Sequence, residues 1–356
     1  MKILCLWANS APHFIRSGWG RAFSYCGHEF HFWNKDITPA FDVFDAIEPD
    51  IFIGTTYDLD RQTIKNIVKR PEMKVALFSS AWSDFVDHIP KHYPIVRVTE
   101  EEKRNLDFLK KNCNKPDFVF LHLTNNWVDS IIGGFKQLGI KPVGILNAAD
   151  ALVYLNGNFR QEYECDLSIV SGYWPYKAIN LDRYFGPLNI FPLNINLKIF
   201  GNGAWNHLYY LGKIEEKDTK DLFRSSKICP NISEPHSYIY NDLTERSFKV
   251  ICAGGLCIHD NAVGIEEVYD KTEVPRFSNY EEFVGLVNKF TKNAASRTYY
   301  KKNAFNKVMS QHTYFHRIHQ MFVEFELNDE AKKVQTCYIK FLNEKGLDNI
   351  YPIFKC

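Results

Sequence analysis

The sequence predicts two doubly wound α/β domains in tandem, each a parallel sheet covered by helices. Three observations predict it. Short apolar runs alternate with longer stretches of helical periodicity, the mark of strands buried on both faces. The series breaks at a cluster of turn residues (Asn147, Asn156, Gly157, Asn158) and then starts again. The chain has 356 residues, more than one ordinary domain needs and comfortable for two.

In the first series, Lys2–Trp7 is a short apolar strand. A loop over Pro12–Gly20 leads into a helix at Gly18–Gly27 ended by glycine, and Glu29–Trp33 is the second strand. Asp50–Gly54 (DIFIG), Lys74–Ser79 (KVALFS), Ile95–Thr99, Asp117–His122 and Val143–Leu146 continue the sheet. The charged stretches Asp58–Arg70 and Thr99–Asn112 are helices between them. In the second series the strands are Asp166–Val170, Leu197–Phe200, Lys227–Asn231 and Leu256–His259. Helices are expected at Lys217–Arg224, Leu243–Cys252, Asn279–Thr291 and Ala295–Ser310. The domains are therefore expected at 1–155 and 156–318, with a helical tail from 319 to 356 that crosses back to the first domain.

Composition narrows the classes. At 45% hydrophobic and 24% charged the chain is globular, not disordered. A net charge of +1 supplies no overall field for holding nucleic acid by its phosphates. The nine cysteines form no CxxC pair, so they read as reduced core thiols, with no metal site expected. No apolar run is long enough to span a membrane, and the N-terminal one is too short for a signal peptide, so a cytoplasmic protein is expected.

Ligands of open parallel sheets bind at the carboxyl ends of the strands, where loops and helix N-termini converge. In the first domain this singles out the loop with Gly18, Trp19 and Gly20, where Trp19 would offer a stacking face, and the loop Ser79–Asp84. Trp19 reads equally well as a packed core ring. In the second domain it singles out Ser171–Lys177 (SGYWPYK), with Gly172 for a tight turn and Lys177 in the first turn of the next helix. Ser233, Glu234, His236 and Ser237 follow another strand with a polarity that does not suit a core. Then NDLTERSFKVICAGG places Glu245, Arg246 and Lys249 on neighbouring helical turns before Gly254 and Gly255. Glu245 and Lys249 also form an ordinary i,i+4 pair, worth only tenths of a kcal/mol, about 0.2–0.5.

These residues resemble a known family. Arg246, Phe248, Lys249, Gly254 and Gly255 follow the pattern Arg-x-Phe-Glu-x-x-x-x-Gly-Gly of the CgeB-type (spore-maturation) glycosyltransferases. His312, Thr313, Tyr314 and Arg317 match that family's closing block, and Lys198–Gly212 its link to the donor loop. The opening GWGRAFSYCGHE is similar to the family's first strand, loop and helix, and LTERSFKVICAGG is similar to glycosyltransferase-like proteins of large viruses and phages. The resemblance implies the GT-B fold: two Rossmann-like doubly wound domains facing a central cleft. It implies a nucleoside-diphosphate sugar, a UDP-sugar, as co-substrate in the C-terminal domain, with no other cofactor and no metal. The acceptor hydroxyl, on a glycan, a protein or a modified DNA base, would meet the N-terminal domain. Lys177, Arg246 and Lys249 would neutralise the departing diphosphate. Asp84 and His13 are the candidate bases of an inverting reaction. One departure stands out. Lys249 occupies the position where the family carries a ribose-binding Glu, and Asn241 that of its acidic partner, so Glu245 would grip the ribose instead. A nucleotide-sugar epimerase on the same fold and a non-catalytic nucleotide- or glycan-binding relative are the alternatives.

Overall fold

The computed structural model describes residues 1–6, 13–93, 95–190, 193–203, 205–262 and 264–354. The chain divides into two compact units. The first comprises Met1–Leu146, Tyr314–Asp348 and Phe354–Cys356, the second Asn147–Thr313 and Asn349–Ile353.

The first unit is a six-stranded parallel sheet in the order β2-β1-β3-β4-β5-β6. Its strands are β1 (Lys2–Leu6), β2 (Glu29–Trp33), β3 (Ile51–Thr55), β4 (Lys74–Phe78), β5 (Phe118–Leu121) and β6 (Lys141–Gly144). Helices α1 (His13–Tyr25), α2 (Ala40–Ile47), α3 (Arg61–Val68), α4 (Asp84–His88), α5 (Glu100–Cys113) and α6 (Val128–Ile132) connect them. Helix α5 starts where local chemistry dictates: Thr99 and Glu102 form a reciprocal capping box.

Two expectations fail in this unit. Ile95–Thr99 is not a strand; it makes an isolated bridge, Ala81↔Arg97, outside the sheet, and while Ile95 is buried, Val96 is 65% exposed. Gly18, Trp19 and Gly20 do not lie on a loop, because α1 begins at His13 and includes them. Glycine is tolerated inside this helix because neighbours occupy the space of the missing side chains. A Cβ would fall 2.2 Å from the Tyr314 ring at Gly18 and 2.8 Å from the Phe30 ring at Gly20.

The second unit is a five-stranded parallel sheet in the order β11-β10-β9-β7-β8. Helix α7 (Ala151–Tyr154) precedes β7 (Cys165–Val170), α8 (Pro175–Ile190), β8 (Leu197–Phe200), α9 (Glu216–Ser225) and β9 (Ser226–Asn231). Helices α10 (Ser237–Tyr240) and α11 (Arg246–Cys252) lead to β10 (Cys257–Asp260), and α12 (Ile265–Val268) to the two-residue β11 (Arg276–Phe277). Helices α13 (Tyr280–Lys292) and α14 (Ala294–Gln311) close the unit. Its core joins Leu167, Ile169, Ile199, Ile228 and Ile258 of the strands to Tyr184, Phe185 and Phe283 of the helices.

The chain then returns to the first unit through α15 (Tyr314–Glu324) and α16 (Asn328–Glu344). The return is built on rings: Phe23 meets Phe322 at 5.7 Å between centroids, Phe118 meets Phe325 at 4.8 Å, and Phe315 stacks on Tyr338 at 4.9 Å. Residues 349–353 rejoin the second unit, where Ile353 N donates to Ser310 O at 2.7 Å. No helix among the described residues is long and apolar enough to cross a membrane.

Candidate donor site in the second unit

The carboxyl end of β7 opens into a loop that its surroundings hold tightly. Gly201, at the end of β8, has φ +151°, and a Cβ there would meet Ser171 O at 1.8 Å, so only glycine lets the two loops touch. Trp205 Nε1 donates to Ser171 O at 3.0 Å and Tyr173 N to Asn202 O at 2.8 Å. At Gly172 the missing side chain makes room for the Trp174 ring, which a Cβ would approach to 2.2 Å.

Lys177 lies in the first turn of α8 and is buried at 4% exposure. Its Nζ donates to Glu234 Oε1 at 2.7 Å, and Tyr176 Oη donates to Glu234 Oε2 at 2.8 Å. Burial, and next the nearby Arg246 charge, pull the Lys177 ammonium down to about 8 despite Glu234. Burial would raise Glu234, but Lys177 and the Tyr176 hydroxyl hold its carboxyl below the ordinary value. His236 completes this corner, with Nδ1 3.7 Å from Glu234 Oε2 and Nε2 3.9 Å from Asp242 Oδ2.

Arg246 is the first residue of α11 and is half-buried. Its Nη1 donates to Asn231 Oδ1 at 2.8 Å and its Nη2 to Ser171 Oγ at 3.4 Å. The guanidinium therefore spans the carboxyl ends of β9 and β7, and both oxygens it meets are neutral. Lys177 and Arg246 thus bring two cations to one sheet edge, with Glu234 bonded to Lys177 and the charges of Glu234, Asp260 and Glu245 acting on Arg246. A pair of cations held this close suits an anion.

Behind them lies a buried polar network. Asp260, fully buried at the end of β10, accepts from Ser233 N at 2.6 Å, Ser233 Oγ at 2.7 Å and Tyr238 Oη at 2.6 Å. Burial would raise this carboxyl, but bonds from His259, Tyr238 and Ser233 hold it below the usual range. His259 Nε2 in turn lies 2.7 Å from Asn231 Nδ2 and 3.1 Å from Ser247 Oγ. These bonds fix Ser233 and Asn231, and through Asn231 they aim Arg246.

The structure thus brings together Gly172, Lys177, Ser233, Glu234, His236 and Arg246 from separate stretches of sequence. Ser237 is fully buried at the start of α10, its Oγ without a hydrogen-bond partner among the described residues. Glu245 precedes α11 and faces Lys249, whose Nζ is 3.8 Å from Glu245 Oε2 and lies over the Tyr154 ring at 5.3 Å. Lys249 therefore packs one turn deeper than Arg246, against Tyr154. Gly254 and Gly255 do not belong at this edge. They end α11 and precede β10, which in a parallel sheet puts them at its amino end. Gly254 has φ +81°, and a Cβ there would fall 2.6 Å from Arg224 Nη1, so the pair serves the turn.

In the first unit, Trp19 is a core residue at 1% exposure, stacked on Phe120 at 5.9 Å, and offers no face to a ligand. Asp84 is exposed and opens α4, after Ser83 caps the helix through Val86 N. His13 opens α1, but its side chain lies outside the described residues. Cys252 and Cys257 are buried, and burial holds both thiols well above their usual range. Asn231, Tyr238, His259 and Asp260 were not singled out from the sequence. The available signal was a histidine and an aspartate closing an otherwise apolar strand (LCIHD).

Residues 187–322, less than half of the chain, match a family model described as glycosyl transferase-like. No curated protein matches the sequence. In structure the chain is similar to HepE of Anabaena in complex with UDP, at 13% identity and a TM-score of 0.59, over 92% of this chain and 100% of that one. It is similar to T4 phage BGT in complex with its UDP-glucose substrate, at 14% identity and a TM-score of 0.54, over 96% and 99% of the two chains. A sucrose-phosphate synthase from Thermosynechococcus elongatus is 8% identical with a TM-score of 0.61, over 92% of this chain and 98% of that one. Two parallel sheets with interleaved helices, shared along nearly the whole length of these proteins, give the chain the GT-B fold of glycosyltransferases.

Proposed function

We propose that the chain is a glycosyltransferase that binds a nucleoside-diphosphate sugar, a UDP-sugar, at the carboxyl edge of the second sheet and passes the sugar to an acceptor hydroxyl. The observation that carries this is the pair Lys177 and Arg246, two cations at one sheet edge, the first bonded to Glu234 and the second to the neutral oxygens of Asn231 and Ser171. A diphosphate presents the negative charge that such cations bind. Fixed cations of this kind stabilise a leaving diphosphate best, because they need not reorganise as charge develops. The same argument supports turnover without a bound metal, which assays with and without a chelator check; one T4 phage BGT structure holds both UDP and Mn2+.

The acceptor belongs to the glycan, protein or modified-DNA class, and the CgeB-type and phage-like resemblances guide the order of assay. Asp84 and His13 are the candidate bases of the first unit. Asp84→Asn is expected to lower kcat about a hundredfold or more and to leave UDP affinity unchanged. Calorimetry tests the donor site. The wild-type chain is expected to bind UDP and UDP-glucose, and Arg246→Ala to weaken UDP about tenfold to a hundredfold. Unchanged UDP affinity in Arg246→Ala rejects the site.

A further inference from the structure

Trp174 is 40% exposed, a large apolar ring at the same sheet edge as Lys177 and Arg246. Two neighbours meet this ring. Its ring lies on the bare backbone of Gly172. The neighbouring Tyr176 hydroxyl donates to Glu234 Oε2 at 2.8 Å. Lys177 Nζ stands 5.9 Å from the ring centre. Its sequence neighbours bind carboxylates: Tyr176 and Lys177 donate to Glu234, and Tyr173 Oη donates to both oxygens of Asp182 at 2.9 Å. An exposed aromatic face packed on a glycine suits a ring with apolar C–H faces, which describes a pyranose.

We infer that Trp174 is the stacking platform for the hexose of the donor and so a determinant of which nucleotide sugar is accepted. The inference rests on the donor site proposed above. The hexose adjoins the diphosphate covalently, and Trp174 adjoins Lys177, one of the two residues assigned to the diphosphate.

The test is calorimetry of UDP and of UDP-glucose with the full chain as wild type, Trp174→Ala and Trp174→Phe, the fold of each checked by circular dichroism. Trp174→Ala is expected to weaken UDP-glucose about tenfold and UDP less than twofold. Trp174→Phe keeps a stacking face and is expected to retain most of the UDP-glucose affinity. Equal weakening of UDP and UDP-glucose would place the ring against the nucleotide instead and overturn the inference. So would unchanged affinity for both, which would leave the ring to an acceptor or another protein. A wild-type chain that binds neither ligand defeats the donor site itself, an outcome distinct from failure of the tryptophan variant alone.

Discussion

Lys177 Nζ and Glu234 Oε1 lie 2.7 Å apart, although one residue opens α8 and the other follows β9. The pair does not neutralise its surroundings, because Arg246 presses on the same ammonium. Two opposite pH trends follow. Lys177 is pulled down to about 8, below the unfolded lysine value of about 10.4. Between these values the unfolded chain binds the proton and the folded one does not, so stability without ligand rises with pH in that window. The gain from this residue is on the order of 1–3 kcal/mol. An anionic nucleotide needs the charged form, so UDP affinity is expected to fall as pH rises through about 8. Lys177→Arg should flatten the affinity profile, and calorimetry between pH 7 and 9 at constant ionic strength would read it, since exposed charges are screened.

Gly172→Ala is expected to act on the sugar by displacing the indole. The added Cβ would fall 2.2 Å from the Trp174 ring, which must swing away. UDP-glucose affinity should drop about as far as in Trp174→Ala, by about tenfold, with UDP little changed. If UDP and UDP-glucose weaken together, the glycine acts on the diphosphate loop instead.

Asp260→Asn should destabilise the second unit. The carboxylate accepts from Ser233 N, Ser233 Oγ and Tyr238 Oη in a fully buried site, and the amide would turn a donor toward some of these donors. The expected cost is about 2–4 kcal/mol, read as a lower urea midpoint. Arg246 would also lose its fixed aim, so UDP affinity should weaken even where the variant remains folded.

Trp19→Ala should behave as a core truncation. The ring is 1% exposed among Phe23, Phe120 and Tyr314, so the cost is about 3–5 kcal/mol. Donor affinity at temperatures where the variant is folded should match wild type. A selective loss of acceptor use instead would restore a ligand-facing role to this residue.

The parallel sheets were legible because their strands are apolar on both faces, as in β3 and β5, where every residue is buried. Ile95–Thr99 reads as apolar too, but it carries Arg97, Val96 is exposed and Thr99 caps α5, so the run leads into a helix. Lys177, Glu234 and Arg246 were legible as polar groups at strand ends, a consequence of topology. What sequence cannot show is which way such groups turn. Arg246 and Lys249 share α11, yet one reaches Asn231 and the other Tyr154, partners fixed by the fold. The paired glycines misled for the opposite reason, since the turn into β10 and a phosphate loop both call for glycine. Trp174 was overlooked because an exposed ring carries no sequence signal until Gly172 and Lys177 are seen beside it.

The first unit's membership also bears on how the chain is made and cut. Its helices α15 and α16 are encoded after the whole of residues 147–313, so the first sheet cannot be covered while the ribosome is still adding the second. A fragment ending before Tyr314 would leave Phe23 and Phe118 without Phe322 and Phe325, and is expected to aggregate when expressed alone. Dissection of this protein before Tyr314 therefore strips the first unit of α15 and α16; a permuted gene that places residues 314–348 beside 1–146 is the form in which the first unit would stand alone.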